Sequence, residues 1–116
     1  ERGVSGLPIV DPATRIGPCV GAARNFYAVG LNYARHARET NNPEPKEPVL
    51  FSKSTSSICG PNDPIILPRG SEKTDWEVEL GIIIGRPCSY VGKDEALDYV
   101  AGFCTINDVS ERAYQI

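Results

Sequence analysis

Histidine is nearly missing from this chain: His36 is the only one in 116 residues, which excludes any multi-histidine metal site within it. The four cysteines stand at 19, 59, 88 and 104, with no C-x-x-C pair to bind a metal or run a redox cycle. Scattered and mostly apolar-flanked, they read as reduced core residues of a cytosolic protein. A disulfide pair is the alternative, and spacing does not choose a connectivity. No long apolar run is present, so no membrane span is expected. The start shows no basic, apolar and cleavage-site pattern, so no secretory signal is expected. Positive charge is also short: 12 basic against 15 acidic residues give a net charge of -3. That balance argues against nucleic acid, whose phosphates demand a basic footprint. Gly81, Gly85, Gly92 and Gly102 form no G-x-G-x-x-G or Walker pattern, so a phosphate-bearing cofactor is not expected.

Hydrophobic residues make up 41% of the chain, too many for a disordered segment. The 11 glycines and 10 prolines predict many turns. Residues 1–18 read as a linker or the end of a small N-terminal region, ahead of a main domain over 19–116. A short strand is expected near Tyr27 to Leu31. Asn32 then caps a helix over Tyr33 to Glu39, which NNPEPKEP terminates. Val49 to Lys53 and Ile65 to Leu67 are short strand candidates. WEVELGIIIG, from Trp76 to Gly85, is the strongest strand, with Trp76, Val78, Leu80, Ile82 and Ile84 on one face. Asp94 caps a short helix reaching Tyr99 or Val100, and Ala101 to Ile106 returns as a strand. Ser110 caps a last turn containing Arg112 and Gln115. The pattern is a strand-rich α+β fold without the alternation of a doubly wound sheet.

Glu77 and Glu79 are two apart on an apolar strand, so their side chains leave the same face about 7 Å apart. Their mutual repulsion is relieved if a hard divalent cation sits between them. The alternative is a solvent-facing strand side that carries two acids. Gly81, next on that face, leaves room. Asp108, just beyond another strand, would add a third carboxylate suited to an octahedral cation, or else is a turn cap in NDVSE. His36 and Glu39 share a helical face at i, i+3. A carboxylate bonded to imidazole raises its basicity, so the pair could hold and deprotonate water; surface polarity beside Arg35 and Arg38 is the other reading. Arg112 and Gln115 likewise share a helical face near Asp108 and could grip a substrate carboxylate or oxo group, or simply be solvated. Lys53 is a weaker candidate for the substrate side.

The segments VGLNYARHARE at 29–39, EPVLFSKSTSSICGPNDPIILP at 47–68, DWEVELGIIIGR at 75–86 and AGFCTINDVSERAYQ at 101–115 resemble the fumarylacetoacetate hydrolase family. The likeness is greatest to its shorter bacterial and acylpyruvase-type members. It implies strand-rich mixed β-sheet layers with short helices, of which this chain is the N-terminal part of the catalytic domain. It implies that Glu77, Glu79 and Asp108 bind Mg²⁺ or Mn²⁺, and that His36 and Glu39 activate water. It further implies C–C cleavage of a 2-oxo or β-diketo acid, with a metal-stabilised enolate leaving, and Arg112 and Gln115 as the family's R-x-x-Q segment. A cytoplasmic homodimer with a small-molecule oxo-acid substrate is expected on the same ground.

The chain departs from the family pattern in two places. Fumarylacetoacetases proper carry an extra metal-binding aspartate about seven residues before the dyad histidine; here that neighbourhood is Ala28, Val29 and Gly30. The family's downstream lysine and much of its central fold would follow the R-x-x-Q segment, and they are not in these residues. DWEVELGIIIGRP and NDVSERAYQ also resemble family sequences active on sugar-derived diketo acids or named ureidoglycolate lyases, so a lyase, decarboxylase or isomerase of oxo-acids using the same metal stands beside the hydrolase reading. An inactive fragment that only binds metal is the third reading.

Overall fold

The computed structural model describes residues 6–115. In order they form β1 (Tyr27–Gly30), α1 (Ala34–Glu39), β2 (Val49–Ser52), β3 (Thr74–Asp75), β4 (Val78–Ile84), β5 (Val100–Asn107) and β6 (Ser110–Glu111). Single 3-10 segments occupy Thr55–Ser57 and Lys93–Tyr99. The result is an α+β chain with short helices and antiparallel β pairs. It divides into two compact units, one ending at Asp63 and the next beginning at Pro64.

In the first unit β1 and β2 pair antiparallel, from Tyr27 opposite Ser52 to Gly30 opposite Val49. The Lys53 N–H extends the ladder to the Phe26 carbonyl at 2.9 Å. Leu31 then takes a left-handed conformation (φ 51°), which turns the chain from β1 toward α1. The helix begins one residue later than expected, because Tyr33 and not Asn32 takes the capping position, without a side-chain cap. Its C-terminus is fixed more firmly. Asn41 sits at φ 55°, its N–H donates to the Arg38 carbonyl at 3.2 Å, and the Asn42 N–H donates to the Ala37 carbonyl at 2.8 Å. These are the two bonds of a Schellman motif, with asparagine tolerating the left-handed position. Ala37 is the one fully buried hydrophobic side chain among the described residues. Elsewhere in this unit Asp63 accepts from Arg15 Nε at 2.7 Å and from the Gly60 N–H at 2.6 Å.

The second unit is a long antiparallel ribbon. Thr74 faces Glu111 and Asp75 faces Ser110; Val78 faces Asn107, and the same register runs on to Ile83 opposite Gly102. The ladder is irregular only between Ile83 and Ile84, where Ile84 pairs with Val100 and Ala101 is the extra residue of a bulge. Next to it the Gly85 N–H bonds the Tyr99 carbonyl at 2.8 Å, and Arg86 lies 4.3 Å over the Tyr99 ring. Val78, Leu80, Ile82, Ile84 and Phe103 share the ribbon's exposed face. The opposite face, with Glu79, Gly81, Ile83, Cys104 and Ile106, is buried or half-buried.

Several expected elements come out differently. Ile65 to Leu67 form no strand and are exposed, bracketed by Pro64 and Pro68, which offer no N–H to a ladder. The helix expected from Asp94 is a 3-10 segment that starts after Gly92, with Asp94 and Glu95 in its first turn. Ser110 belongs to β6 and caps nothing helical. The cysteines are not core residues: Cys19, Cys59 and Cys88 are exposed, Cys104 is half-buried, and none is in a disulfide.

Candidate functional site

The acids are positioned by strand alternation and register. Asp75, Glu77 and Glu79 are two apart, so they leave one face of the ribbon. The register that sets Val78 opposite Asn107 puts Glu77 opposite Asp108, and the Asp108 N–H donates to the Glu77 carbonyl at 2.8 Å. The Glu77 N–H is held in turn by Asn107 Oδ1 at 3.1 Å. Three of the expected residues, Glu77, Glu79 and Asp108, thus share one half-buried patch of backbone.

Arg112 enters the same face from beyond β6, anchored by its N–H to the Lys73 carbonyl at 2.9 Å. Its Nε and Nη2 donate to Asp75 Oδ2 at 3.1 and 2.9 Å. Its Nη1 donates to Glu77 Oε1, and also to Gln115 Oε1 at 2.7 Å. Arg112 and Gln115 therefore meet directly, across a turn and not along a helical face. The bonds to Arg112 hold the Asp75 carboxyl below its usual range, and the paired acids raise the guanidinium still further. Beside this cluster Glu111 accepts from Ser71 and from Thr74, and the Lys73 N–H reaches it at 3.3 Å. That clasp ties β6 to the segment leading into β3.

The donor set suits a hard cation, since three carboxylates on one ribbon face supply the oxygens that Mg²⁺ and Mn²⁺ prefer. Among the described residues, however, no three His, Cys, Asp or Glu side chains converge as an ion cage. Glu77 bonds Arg112 through Oε1. The room expected above Gly81 is also taken: a Cβ there would lie 2.5 Å from Ile106 Cδ1 and 2.7 Å from Cys104 Sγ.

In the first unit His36 and Glu39 occupy α1 at the expected spacing, both exposed. The bond Glu39 makes is to Arg35 Nε, at 2.9 Å. Lys53 is half-buried at the end of β2. Two shallow grooves of about 300 Å³ in this unit, one beside Thr55 and Ser56 and one beside Glu44 and Lys46, include none of the candidate residues. The sequence reading missed Asp75, Asn107 and Glu111. Asp75 was findable, because it continues the two-residue spacing of Glu77 and Glu79 by one step.

The class that these features define is a short α+β chain with an acid-lined antiparallel ribbon and an arginine held across it. Comparison makes this specific. Residues 25–116 match the family described as fumarylacetoacetate (FAA) hydrolase C-terminal, and the chain belongs to that family. A Burkholderia multivorans protein with hydrolase in its name is 63% identical over all of this chain and 44% of its own length. A Burkholderia ambifaria protein, also named a hydrolase, is 57% identical with the same coverage. The chain thus spans 44% of the length of these relatives. A Mycobacterium smegmatis crystal structure carrying the HpcE name superposes with TM-score 0.78 at 43% identity, over 86% of this chain and 35% of that one. A Mycobacterium abscessus structure gives TM-score 0.70 at 42% identity, over 81% and 37%. Among the described residues no helix is long and apolar enough to cross a membrane.

Proposed function

We propose that the intact protein is a divalent-metal-dependent hydrolase that cleaves a C–C bond in a small 2-oxo or β-diketo acid. The observation that carries this reading is the half-buried acid face on which Glu77 and Glu79 follow one another and Asp108 stands opposite Glu77. Membership in a hydrolase family supports it. Glu77, Glu79 and Asp108 would hold the ion, which when bound supplies positive charge at the oxo-carboxylate end of the substrate.

The remaining steps belong to the chain's own side chains. His36 takes a proton from water at an imidazole nitrogen, and Glu39 orients the ring once it exchanges Arg35 for the imidazole. Arg112 and Gln115, already bonded to each other, present donors to a carboxylate or oxo group, with Lys53 as a further donor. We place the protein in the cytoplasm as a homodimer, and cell fractionation and sedimentation velocity test these two assignments. Residues 1–18, of which 1–5 lie outside the described residues, would be a linker or the end of a small N-terminal region.

The activity test uses the full-length protein with acylpyruvates and other oxo-acids, with products assigned by NMR. The expected result is Mn²⁺- or Mg²⁺-dependent hydrolysis that falls at least about 100-fold in His36→Ala, as for loss of a general base. Turnover unchanged in His36→Ala would overturn the mechanism. Products of elimination, decarboxylation or isomerisation would replace hydrolysis with the corresponding reaction at the same site. Metal binding without any turnover would leave only a metal-binding role.

A further inference from the structure

Arg112 bonds three acceptors at once, and two of them are carboxylates with different prospects. Its Nε and Nη2 are both on Asp75 Oδ2, at 3.1 and 2.9 Å, while Nη1 is on Glu77 Oε1. Glu77 is 24% and Arg112 32% exposed, so the pair is partly withdrawn from water. A carboxylate neutralised by a guanidinium is a poor ligand, because a second cation brought to it is repelled by the first. Asp75 lies outside the proposed ligand set, on the same face, one two-residue step from Glu77. Its two bonds use the side of the guanidinium that Glu77 does not touch. Arg112 can therefore give up Glu77 without losing its place.

We propose that Arg112 and the divalent cation compete for the Glu77 carboxylate, and that Asp75 is the positioning residue that keeps Arg112 at the site when the cation takes Glu77. The exchange leaves Nη1 bonded to Gln115 with donor capacity open to an anionic substrate. Ion binding thus prepares the anion-binding group, which orders the two events. The inference rests on the proposed role of Glu77 as a metal ligand.

The test is a Mn²⁺ titration of the full-length protein at neutral pH and fixed salt, following free Mn²⁺ by EPR. Arg112→Gln is expected to bind Mn²⁺ roughly 5–10-fold tighter than wild type, the lower end of the usual coupling between two ligands. Asp75→Asn is expected to bind it roughly 5–10-fold more weakly, because Glu77 is then the only carboxylate left to Arg112. Placed in the Arg112→Gln background, Asp75→Asn should have no effect. Additive effects of the two substitutions would mean bulk charge alone and would overturn the proposal, as would unchanged or weaker binding in Arg112→Gln.

Mg²⁺ titration of the wild type, watching the Arg112 side-chain N–H signals by ¹⁵N NMR, needs no variant. The Nη signals should shift with saturation while Nε–H stays protected; signals indifferent to Mg²⁺ overturn the exchange. Glu77→Gln separates the two levels. Lost Mn²⁺ binding in that variant supports the metal reading, whatever Arg112 does. Wild-type binding there ends the metal reading and the exchange together.

Discussion

Asp108 and Glu77 are joined through the backbone, the N–H of one donating to the carbonyl of the other at 2.8 Å. Two carboxylates are thereby fixed at neighbouring points before either side chain makes a bond of its own. Asn107 completes the joint by accepting the Glu77 N–H at 3.1 Å, in place of the backbone carbonyl an unbroken ladder would offer. Asn107→Ala should lower stability by ~1 kcal/mol, the net worth of one such bond. It should weaken Mn²⁺ binding as well, because Glu77 loses an anchor. Urea unfolding and metal titration on the same sample check both, and a variant with wild-type values in each would show that the joint does not depend on Asn107.

Gly81 admits no side chain. Gly81→Ala would put a methyl within 2.5 Å of Ile106 Cδ1 and 2.7 Å of Cys104 Sγ, an overpacking expected to cost about 1–3 kcal/mol. Ile106→Val removes the nearer atom and should restore part of the loss. Thermal melts of the single and double variants measure the coupling, and strictly additive values would argue against a clash with Ile106.

Asn41 closes α1 from the left-handed region. Asn41→Val should destabilise by ~1 kcal/mol, since a β-branched residue is strained there, whereas Asn41→Gly should be neutral or slightly stabilising. Chemical denaturation with far-UV circular dichroism ranks the three. Valine ranking equal to glycine would mean that the Schellman bonds do not hold the helix end in solution.

Acid sensitivity should come from Asp63 in the first unit and from Asp75 and Glu111 in the second. Arg15 lowers Asp63 from the ordinary 3.8, and Ser71 lowers Glu111 from the ordinary 4.5. Depressed folded-state values favour the ionised, folded form. The stabilisation is therefore fully present above about pH 4.5 and is lost as pH falls through the depressed values. Melting temperature should be level from pH 7 to 5 and fall below that. Glu111→Gln should shallow the fall, and an unchanged slope would remove Glu111 from the account.

The parts of this structure legible in the sequence are those set by alternation and punctuation. The strand pattern of WEVELGIIIG put Val78, Leu80, Ile82 and Ile84 on one face and the glutamates on the other, as found. Starting that strand at Trp76 hid Asp75, although the same alternation reaches it. The pairing of Glu77 with Asp108 was not legible, because register is a relation between segments some thirty residues apart and no local signal specifies it. Ile65 to Leu67 were misread because an apolar run predicts a strand only if it finds a partner, and prolines on both sides discourage one. The turn at Arg112 was read as helical because i, i+3 contacts occur in single turns as well as in helices.

The bulge at Ile83 and Ile84 has a consequence for how this ribbon tolerates change. An extra residue accommodated there stops a slip from travelling along the ladder, so the segment 86–98 can gain or lose residues without moving Glu77 relative to Asp108. The far end of the ribbon should accept changes in length and sequence that leave the register at the acid end as it is. Variants with one or two residues inserted after Gly92 should therefore retain the site, and one inserted between Glu77 and Glu79 should not.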